Sequence, residues 1–534
     1  MGEPALSLCM IVKNEEANLA RCLRSVQGTP DEIVIVDTGS RDRTVEVAEQ
    51  FGARVLRRPW RGSFAQARNH GLEAATGDWI LMLDADEELE PGSSQRLRSL
   101  LQDGQVEAYS LVVVNITRDA VWTQTENAVS IRLWRNRPEY RFERDLHEQI
   151  LPSIERARPG AGIAAADVRI LHHGYGKREV ERQKKRFRNL PMAQQAAKTL
   201  GDDFSHFNLG IELMIHNRYH QALQELREAE RLIQPGSSLR PKLAKAVINC
   251  LVQLRQTEEA LRASERYLQD MPDFADLIFF RGFAHYQAGQ GSEAAACFRR
   301  CLELGPASAF KYPGATDGCG SYQAAWMLGQ VLESQQDLEG ALASYRQAYE
   351  LNRDWSTPLF RYASLQGRRL EPDALAADLE SLVDRQQPGW PLLIAQGLYI
   401  AKAFAHVVTY LERPELSDCS PNARLFLRGQ SQLRLGQWLE ALQSLRQVTS
   451  DSPNYAEALT SQYWLYSSLD RPEEARRLRR RLDPTPELYL ELGDISLQCA
   501  LEWSLRAIAL GGESARLMPM VKSLQAELRR EGTS

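Results

Sequence analysis

Residues 79–87 read Trp-Ile-Leu-Met-Leu-Asp-Ala-Asp-Glu. The unbroken apolar run Trp79–Leu83 predicts a strand buried on both faces, because strands covered by helices on either side lack an apolar–polar alternation. The run stops abruptly at Asp84, so its carboxylates stand at the strand's carboxyl end, the edge where open parallel sheets bind ligands. Working toward the N-terminus, Glu32–Val36 (EIVIV) is a second such run, leading into Asp37-Thr38-Gly39-Ser40. Leu6–Val12 and Ala53–Leu56 are two further strands. Amphipathic helices separate them. The first, capped by Asn14, repeats Leu19, Cys22, Leu23 and Val26 at helical spacing. The next carries Val45, Ala48 and Phe51, and the third spans Phe64–Ala75. Strand–helix alternation implies parallel pairing through right-handed crossovers.

Toward the C-terminus the pattern changes. Val106–Ile116, Val129–Trp134 and Val168–Leu171 read as strands without intervening helices, a mixed or antiparallel edge added to the parallel sheet. Lys177–Leu200 is a basic amphipathic stretch interrupted by Pro191. It reads as a solvated helix face, with contact to an anionic substrate as the other reading.

Beyond residue 200 the chain is helical and repetitive. Small Ala positions recur at 222, 260, 294, 341, 441 and 475, and Ala260–Ala294 and Ala441–Ala475 are each 34 residues apart, the tetratricopeptide period. Gly282, Gly329 and Gly429 each precede one of these alanines by 12 residues, where a missing side chain lets paired helices approach. Pro306 and Pro453 follow at 12 residues and end the hairpin. The insert Ala307–Gly320 stretches one interval to 47 residues, and the repeats are degenerate between Asn352 and Pro421. Such units stack into a superhelix with a concave groove. The expected architecture is therefore an α/β domain with a mixed, mainly parallel sheet over residues 1–200, then an all-α tetratricopeptide-like solenoid over 201–534.

Bulk properties agree with a folded multidomain chain. Its 534 residues are 43% apolar and 25% charged, too apolar for disorder, and the net charge of −5 gives no general support for nucleic-acid binding. The eight cysteines form no CxxC pair, and several fall in apolar helical runs, the pattern of buried thiols in a reducing compartment. Ala5–Val12 lacks a basic leader and reads as a strand, not a signal peptide. No stretch approaches the roughly 20 apolar residues that span a bilayer. The expected location is the cytoplasm.

Four stretches converge at the carboxyl edge of the sheet: Lys13-Asn14-Glu15-Glu16, Asp37 in VDTGSRD, Arg68-Asn69, and Asp84-Ala85-Asp86-Glu87. Two carboxylates one residue apart can hold a hard divalent cation that bridges the phosphates of a nucleotide donor and neutralises a departing diphosphate. Alone, either acidic motif also reads as helix capping or a turn. Together, MIVKNEEANLARCLRSV, DEIVIVDTGSRDRTVEVA and ARNHGLEAATGDWILMLDADEEL resemble the family-2 glycosyltransferases of the nucleotide-sugar-binding α/β fold. The likeness covers about residues 5–185. It is strongest to the branch containing lipopolysaccharide-core glucosyltransferases and peptide S-glycosyltransferases.

That resemblance implies roles for single residues. Asp37 contacts the uridine or ribose of the donor, Asp84 lies on the ribose and metal side, and Asp86 binds the metal. Lys13, Glu15 and Arg68 line the nucleotide pocket. It implies Mn²⁺ or Mg²⁺, an inverting direct displacement and no covalent enzyme intermediate. His147-Glu148 in RDLHEQI matches the family's HE pair, with Glu148 as base and His147 orienting it or binding the acceptor. His172-His173-Gly174-Tyr175 resembles the HxGY segment, whose first His completes the metal shell; a packing histidine is the other reading of His172. One departure stands out: Arg144 and Asp145 occupy positions before HE where the family often has glycine.

The expected activity is transfer of a hexose from a UDP-sugar to a protein, peptide or glycan acceptor, with the solenoid binding the acceptor, a protein partner or a second copy. A catalytically inactive sugar-nucleotide-binding scaffold is the alternative. A nucleotidyltransferase would carry a glycine-rich basic phosphate loop, and KNEEANL is not one.

Overall fold

A computed structural model describes residues 3–115, 128–173 and 179–479, apart from positions 235, 309, 317, 388 and 470. Two compact units emerge, Met1–Ser344 and Tyr345–Ser534.

The first unit opens with an α/β domain. Its elements run β1 (Leu6–Val12), α1 (Glu16–Ser25), β2 (Glu32–Asp37), α2 (Thr44–Gln50), β3 (Arg54–Arg57), α3 (Phe64–Ala74) and β4 (Trp79–Met82). Then follow β5 (Glu87–Leu89), α4 (Ser93–Leu100), β6 (Val106–Asn115), β7 (Ala128–Arg135), α5 (Leu151–Ala157) and β8 (Gly162–His172). The strands form one sheet in the order β3-β2-β1-β4-β7-β6-β8-β5. The first four pair in parallel. Beyond β4 the pairing is mixed: β7 and β6 run antiparallel to their predecessors, β8 is parallel to β6, and β5 is antiparallel to β8.

Burial explains why the strands read as unbroken apolar runs. Along β1, Leu6, Leu8, Met10 and Val12 enter one core with Leu19, Cys22 and Leu23 of α1 and Leu97 of α4. Cys9 turns to the opposite core, with Ala65 and Leu72 of α3 and Ile154 of α5. Trp79 and Leu81 of β4 share the first core, Ile80 and Met82 the second. Helices thus cover both faces.

Several sequence expectations are corrected. The segment after Val106 contains a helix, α5, whose seven residues are too few to display a helical period. Asn14 does not cap α1: its backbone is left-handed at φ 55° and its side-chain oxygen accepts from Arg41 N at 2.8 Å. Pro191 does not interrupt the basic stretch, because α6 (Glu179–Leu200) runs through it; proline removes one backbone donor without ending the helix. Gly174 and Tyr175 lie outside the described residues.

The helical part is all-α. α7 (Asp203–Ile215), α8 (Tyr219–Leu232), α9 (Arg240–Gln253), α10 (Thr257–Asp270), α11 (Ala275–Gln287), α12 (Gly291–Leu304) and α13 (Tyr322–Ser334) follow in sequence. The glycine–alanine spacing acts as expected. A Cβ on Gly282 would lie 2.9 Å from Cys297 Cβ, and one on Gly429 would lie 2.6 Å from Leu445 Cγ. Gly210 plays the same part against Leu226. The insert packs into this part: Tyr312 stacks on Phe274 with centroids 4.4 Å apart, and Ala315, Thr316 and Cys319 are buried. The degenerate stretch still forms helices, Thr357–Gln366, Pro372–Leu382, Trp390–Ile400 and Phe404–Tyr410. Every described cysteine is a free thiol, and no described helix is long and apolar enough to cross a membrane.

Candidate active site

The parallel strands deliver the acidic residues to one edge. Asp37 pairs with Val12 at the end of β2, and Asp84 follows β4 by two residues. Since β1 alone separates β2 from β4, the two carboxyl ends are two strand spacings apart, about 10 Å. Asp37 is buried and accepts from Gly39 N at 3.2 Å and Ser40 N at 3.1 Å, which sets the turn beneath it. A cleft of about 560 Å³ lies against Asp37, Ser40, Asp42, Arg57 and Arg58. The neighbouring loop is laced to it: Asn14 N donates to Ser40 Oγ at 3.0 Å, and Glu15 N to Thr44 Oγ1 at 2.7 Å. Glu15 also accepts from Asn18 at 2.8 Å, while Lys13 is exposed at the end of β1.

The turn Asp84-Ala85-Asp86 is held from behind by Glu87. Its carboxylate accepts from Asp84 N at 2.8 Å and from Arg132 Nη2 at 2.6 Å. Burial pushes the Glu87 carboxyl up, against the pull of Arg132. Asp84 goes the other way: burial would raise it, but Arg68 and Arg132 together hold it below the usual carboxylate range. Strand β5 then pairs Glu87 with His172 of β8, which brings His172 Nε2 to 3.6 Å from Asp86 Oδ1. His173 N donates to Asp86 O at 2.8 Å. Burial would lower His172, but its hydrogen bond to Asp86 and the charges of Asp86, Glu87 and Asp84 raise it.

Two ligands of one divalent ion, each bound at roughly 2.1 Å, lie about 3–4 Å apart, and the Asp86–His172 separation falls there. Among the described residues no three His, Cys, Asp or Glu side chains form a ready-made metal shell. A cation held by one or two carboxylates and completed by substrate phosphates and water does not need one. The donor set fits a hard cation.

Arg68 has a position that motif reading does not supply. Buried on α3, it donates from Nη2 to Asp84 at 2.9 Å and from Nε to Glu148 at 2.5 Å. Burial alone would lower the guanidinium, but the two carboxylates drive it well above its ordinary value. One cation thus joins the acidic turn to the HE pair. His147 adopts a left-handed φ of 55°. Burial pushes its imidazole down, with Glu148 opposing and Lys242 of α9 assisting. Arg144 is also left-handed, at φ 77°, the region glycine prefers, although the residue is arginine. Its guanidinium pairs with Asp202 at 2.6 Å and lies 4.9 Å over the Phe204 ring. A cavity of about 550 Å³ opens between this loop and helices α6 and α7, bordered by Arg144, His147, Met192, Thr199, Phe204 and Asn208.

Arg132, which holds Glu87, and Glu212, which faces His147, are charged residues here that sequence reading missed. Fold and site together define a helix-covered α/β sheet with an acidic carboxyl edge, followed by helical repeats. Residues 7–157 match the model of Glycosyl transferase family 2, and residues 322–354 and 425–455 match tetratricopeptide repeat models. The chain therefore carries a family 2 glycosyltransferase domain followed by tetratricopeptide repeats.

A TPR repeat-containing protein of Synechococcus elongatus is 42% identical over 182 residues, 33% of this chain and 44% of that protein. An uncharacterized glycosyltransferase of Rickettsia felis is 45% identical over 84 residues, 16% of this chain and 29% of that protein. The chain thus spans less than half the length of these relatives. Glucosyl-3-phosphoglycerate synthase of Mycobacterium tuberculosis, solved with Mn²⁺, UDP and glucosyl-3-phosphoglycerate, is 17% identical at a TM-score of 0.28, covering 36% of this chain and 79% of that one.

Proposed function

We propose that residues 1–200 form a metal-dependent, inverting hexosyltransferase acting on a UDP-sugar, with a hydroxyl or thiol of a protein, peptide or glycan as acceptor. The observation that carries this reading is Arg68, which ties Asp84 of the acidic turn to Glu148 of the HE pair and so sets leaving-group and acceptor sides next to each other. Asp37 receives the nucleoside, with Lys13 and Glu15 beside it, and Asp86, Asp84 and His172 hold Mn²⁺ or Mg²⁺. The cation supplies charge neutralisation to the diphosphate. Glu148 takes the acceptor proton as the acceptor atom bonds to the anomeric carbon. The bond from that carbon to the diphosphate breaks, and the electron pair leaves with UDP. Arg68 keeps the Glu148 carboxylate aimed, while His147 lines the acceptor side. Residues 201–534 serve as the repeat domain that receives the acceptor or a partner protein, in the cytoplasm.

One observation favours a second reading, an inactive nucleotide-sugar-binding scaffold: Arg68 and Arg132 already compensate Asp84. The test is release of UDP from a panel of UDP-sugars with Mn²⁺. Wild type should turn over, and Asp86→Ala should abolish release while unfolding normally. Unchanged release by Asp86→Ala overturns the metal role. Calorimetric binding of UDP and Mn²⁺ without turnover of any donor selects the scaffold.

A further inference from the structure

The HE loop does not stand on the α/β domain alone. Arg144 at its start is fastened to Asp202 and Phe204 at the N-terminal end of α7. Three residues further, His147 Nε2 points at α7 again and lies 3.9 Å from Glu212 Oε1. Glu212 is a buried carboxylate, two turns along that helix from Phe204. The same oxygen accepts from Asn189 Nδ2 of α6 at 3.3 Å. Arg188 of α6 lies over the Phe64 ring at 5.0 Å, within the field of both Glu212 and Glu148. A buried carboxylate is costly unless its partners are fixed. Here it is walled in by side chains of α6 and by the loop that carries the proposed base.

We infer that Glu212, from the first helix after the α/β domain, is a positioning residue for His147, and that the acceptor side of the site is incomplete without that helix. The inference rests on the HE reading above. At 3.9 Å His147 Nε2 and Glu212 Oε1 are not hydrogen-bonded in this structure, and closing that gap sets an acceptor oxygen against Nε2 that selects the imidazole tautomer with its proton there, leaving Nδ1 to accept. It also holds the ring in place despite the left-handed backbone at residue 147. Among the described residues, the charged groups facing this imidazole are Glu148 from its own loop, Glu212 from α7 and Lys242 from α9. The helical half thereby contributes to catalysis as well as to recognition.

The experiment measures UDP release by the full chain from the best UDP-sugar with Mn²⁺, water serving as acceptor. Glu212→Leu should lose about 10²-fold in rate, the order expected when a reacting group is misplaced. Glu212→Gln, which retains an acceptor oxygen, should recover to within about threefold of wild type. Calorimetric affinity for UDP with Mn²⁺ should not change in either variant. His147→Gln should lose a similar factor, and His147→Gln/Glu212→Leu should lose no more than the worse single variant. Multiplicative losses in the double variant, or a wild-type rate in Glu212→Leu, overturn the inference. A wild-type rate in His147→Gln instead overturns the HE reading on which it rests. If Glu212→Leu does not fold, the Gln variant decides: a Gln rate as low as that of His147→Gln also overturns it.

Discussion

Arg68 and Glu148 are 80 residues apart in sequence and meet at 2.5 Å, guanidinium Nε to carboxylate Oε1. The same guanidinium reaches Asp84 with a second nitrogen at 2.9 Å. Its planar fork serves two anions in fixed directions, and a lysine offers a single point charge. Arg68→Lys should therefore keep most of the stability but lower UDP release by about 10²-fold, because the two carboxylates are no longer held in register. Arg68→Ala should destabilise the α/β domain by about 2 kcal/mol, since it removes the cation shared by the mostly buried Glu148 and the partly open Asp84. Urea unfolding and turnover of the two variants check both halves. Wild-type turnover in Arg68→Lys would reduce the bridge to packing.

Arg144 inverts an ordinary expectation. Its φ of 77° strains any residue with a Cβ, and its side chain offsets that strain by pairing with Asp202 and covering Phe204. Arg144→Ala loses the anchor and keeps the strain, which should cost about 2 kcal/mol. Arg144→Gly loses the anchor and removes the strain, so it should be about 1 kcal/mol less destabilising than alanine. Thermal unfolding of the two variants gives the order, and hydrogen exchange over residues 143–149 should rise in both. Alanine equal to or better than glycine would refute it.

The contrast between these residues and the acidic turn shows what was legible in the sequence. Asp37 and Asp84 were readable because EIVIV and WILML are buried on both faces, and the end of an apolar run is a local signal. β5 was not: Glu87-Glu88-Leu89 is short and acidic, and it is a strand only because β8 lies alongside to pair with it. Arg132 reaches Glu87 because β7 happens to lie next to β4, a neighbour relation that no local period encodes. Glu212 is further removed still, an acidic residue in an apolar repeat helix whose place beside His147 depends on how α7 packs. The glycine–alanine spacing was legible for the opposite reason, because close approach of two helices repeats with the sequence itself.

Glu107 gives the α/β domain an acid-sensitive corner. Arg137 donates two hydrogen bonds to it at 2.8 Å, Tyr140 one at 2.7 Å and Arg158 one at 3.0 Å. The Arg137 hydrogen bonds lead in holding its carboxyl down to about 2, against burial and with help from Tyr140 and Arg158. A folded value below the unfolded one means the stabilisation is complete above roughly pH 4.5 and is lost as pH falls through about 2. After solvent screening of the partly open guanidinium groups it amounts to about 1 kcal/mol. Wild type should therefore lose more stability between pH 5 and about pH 2.5 than Glu107→Gln does. Parallel slopes in denaturant unfolding across that interval would exclude the corner as a source of acid sensitivity.

In the repeat helices, Gly282→Ala sets helix propensity against packing. Alanine favours a helix interior by about 1 kcal/mol over glycine. The added Cβ would lie 2.9 Å from Cys297 Cβ and 3.1 Å from the Phe298 ring, and a Cβ cannot swing aside. Overpacking should win, with a net loss of about 1–2 kcal/mol. Cys297→Gly in the same chain should relieve part of it. A more stable Gly282→Ala variant would mean that α11 and α12 are not in close contact.

The insert is fastened by a buried ion pair. Lys245 of α9 donates to Gly314 O and to Thr316 Oγ1 at 3.1 Å, and its Nζ lies 3.9 Å from Asp276 Oδ2. Asp276 of α11 is fully buried and accepts from Thr316 N at 2.7 Å. Removing one partner of such a pair costs more than removing both, because the remaining charge keeps its desolvation penalty. Lys245→Met should therefore destabilise the first unit by about 3 kcal/mol or more. Lys245→Met/Asp276→Asn should recover a large part of that loss, since the asparagine oxygen still accepts from Thr316 N and carries no charge to compensate. The order of the two denaturation midpoints is the readout, with hydrogen exchange over residues 307–320 as a local probe. If the double variant is less stable than the single one, the pair contributes net attraction and the insert depends on the charge itself.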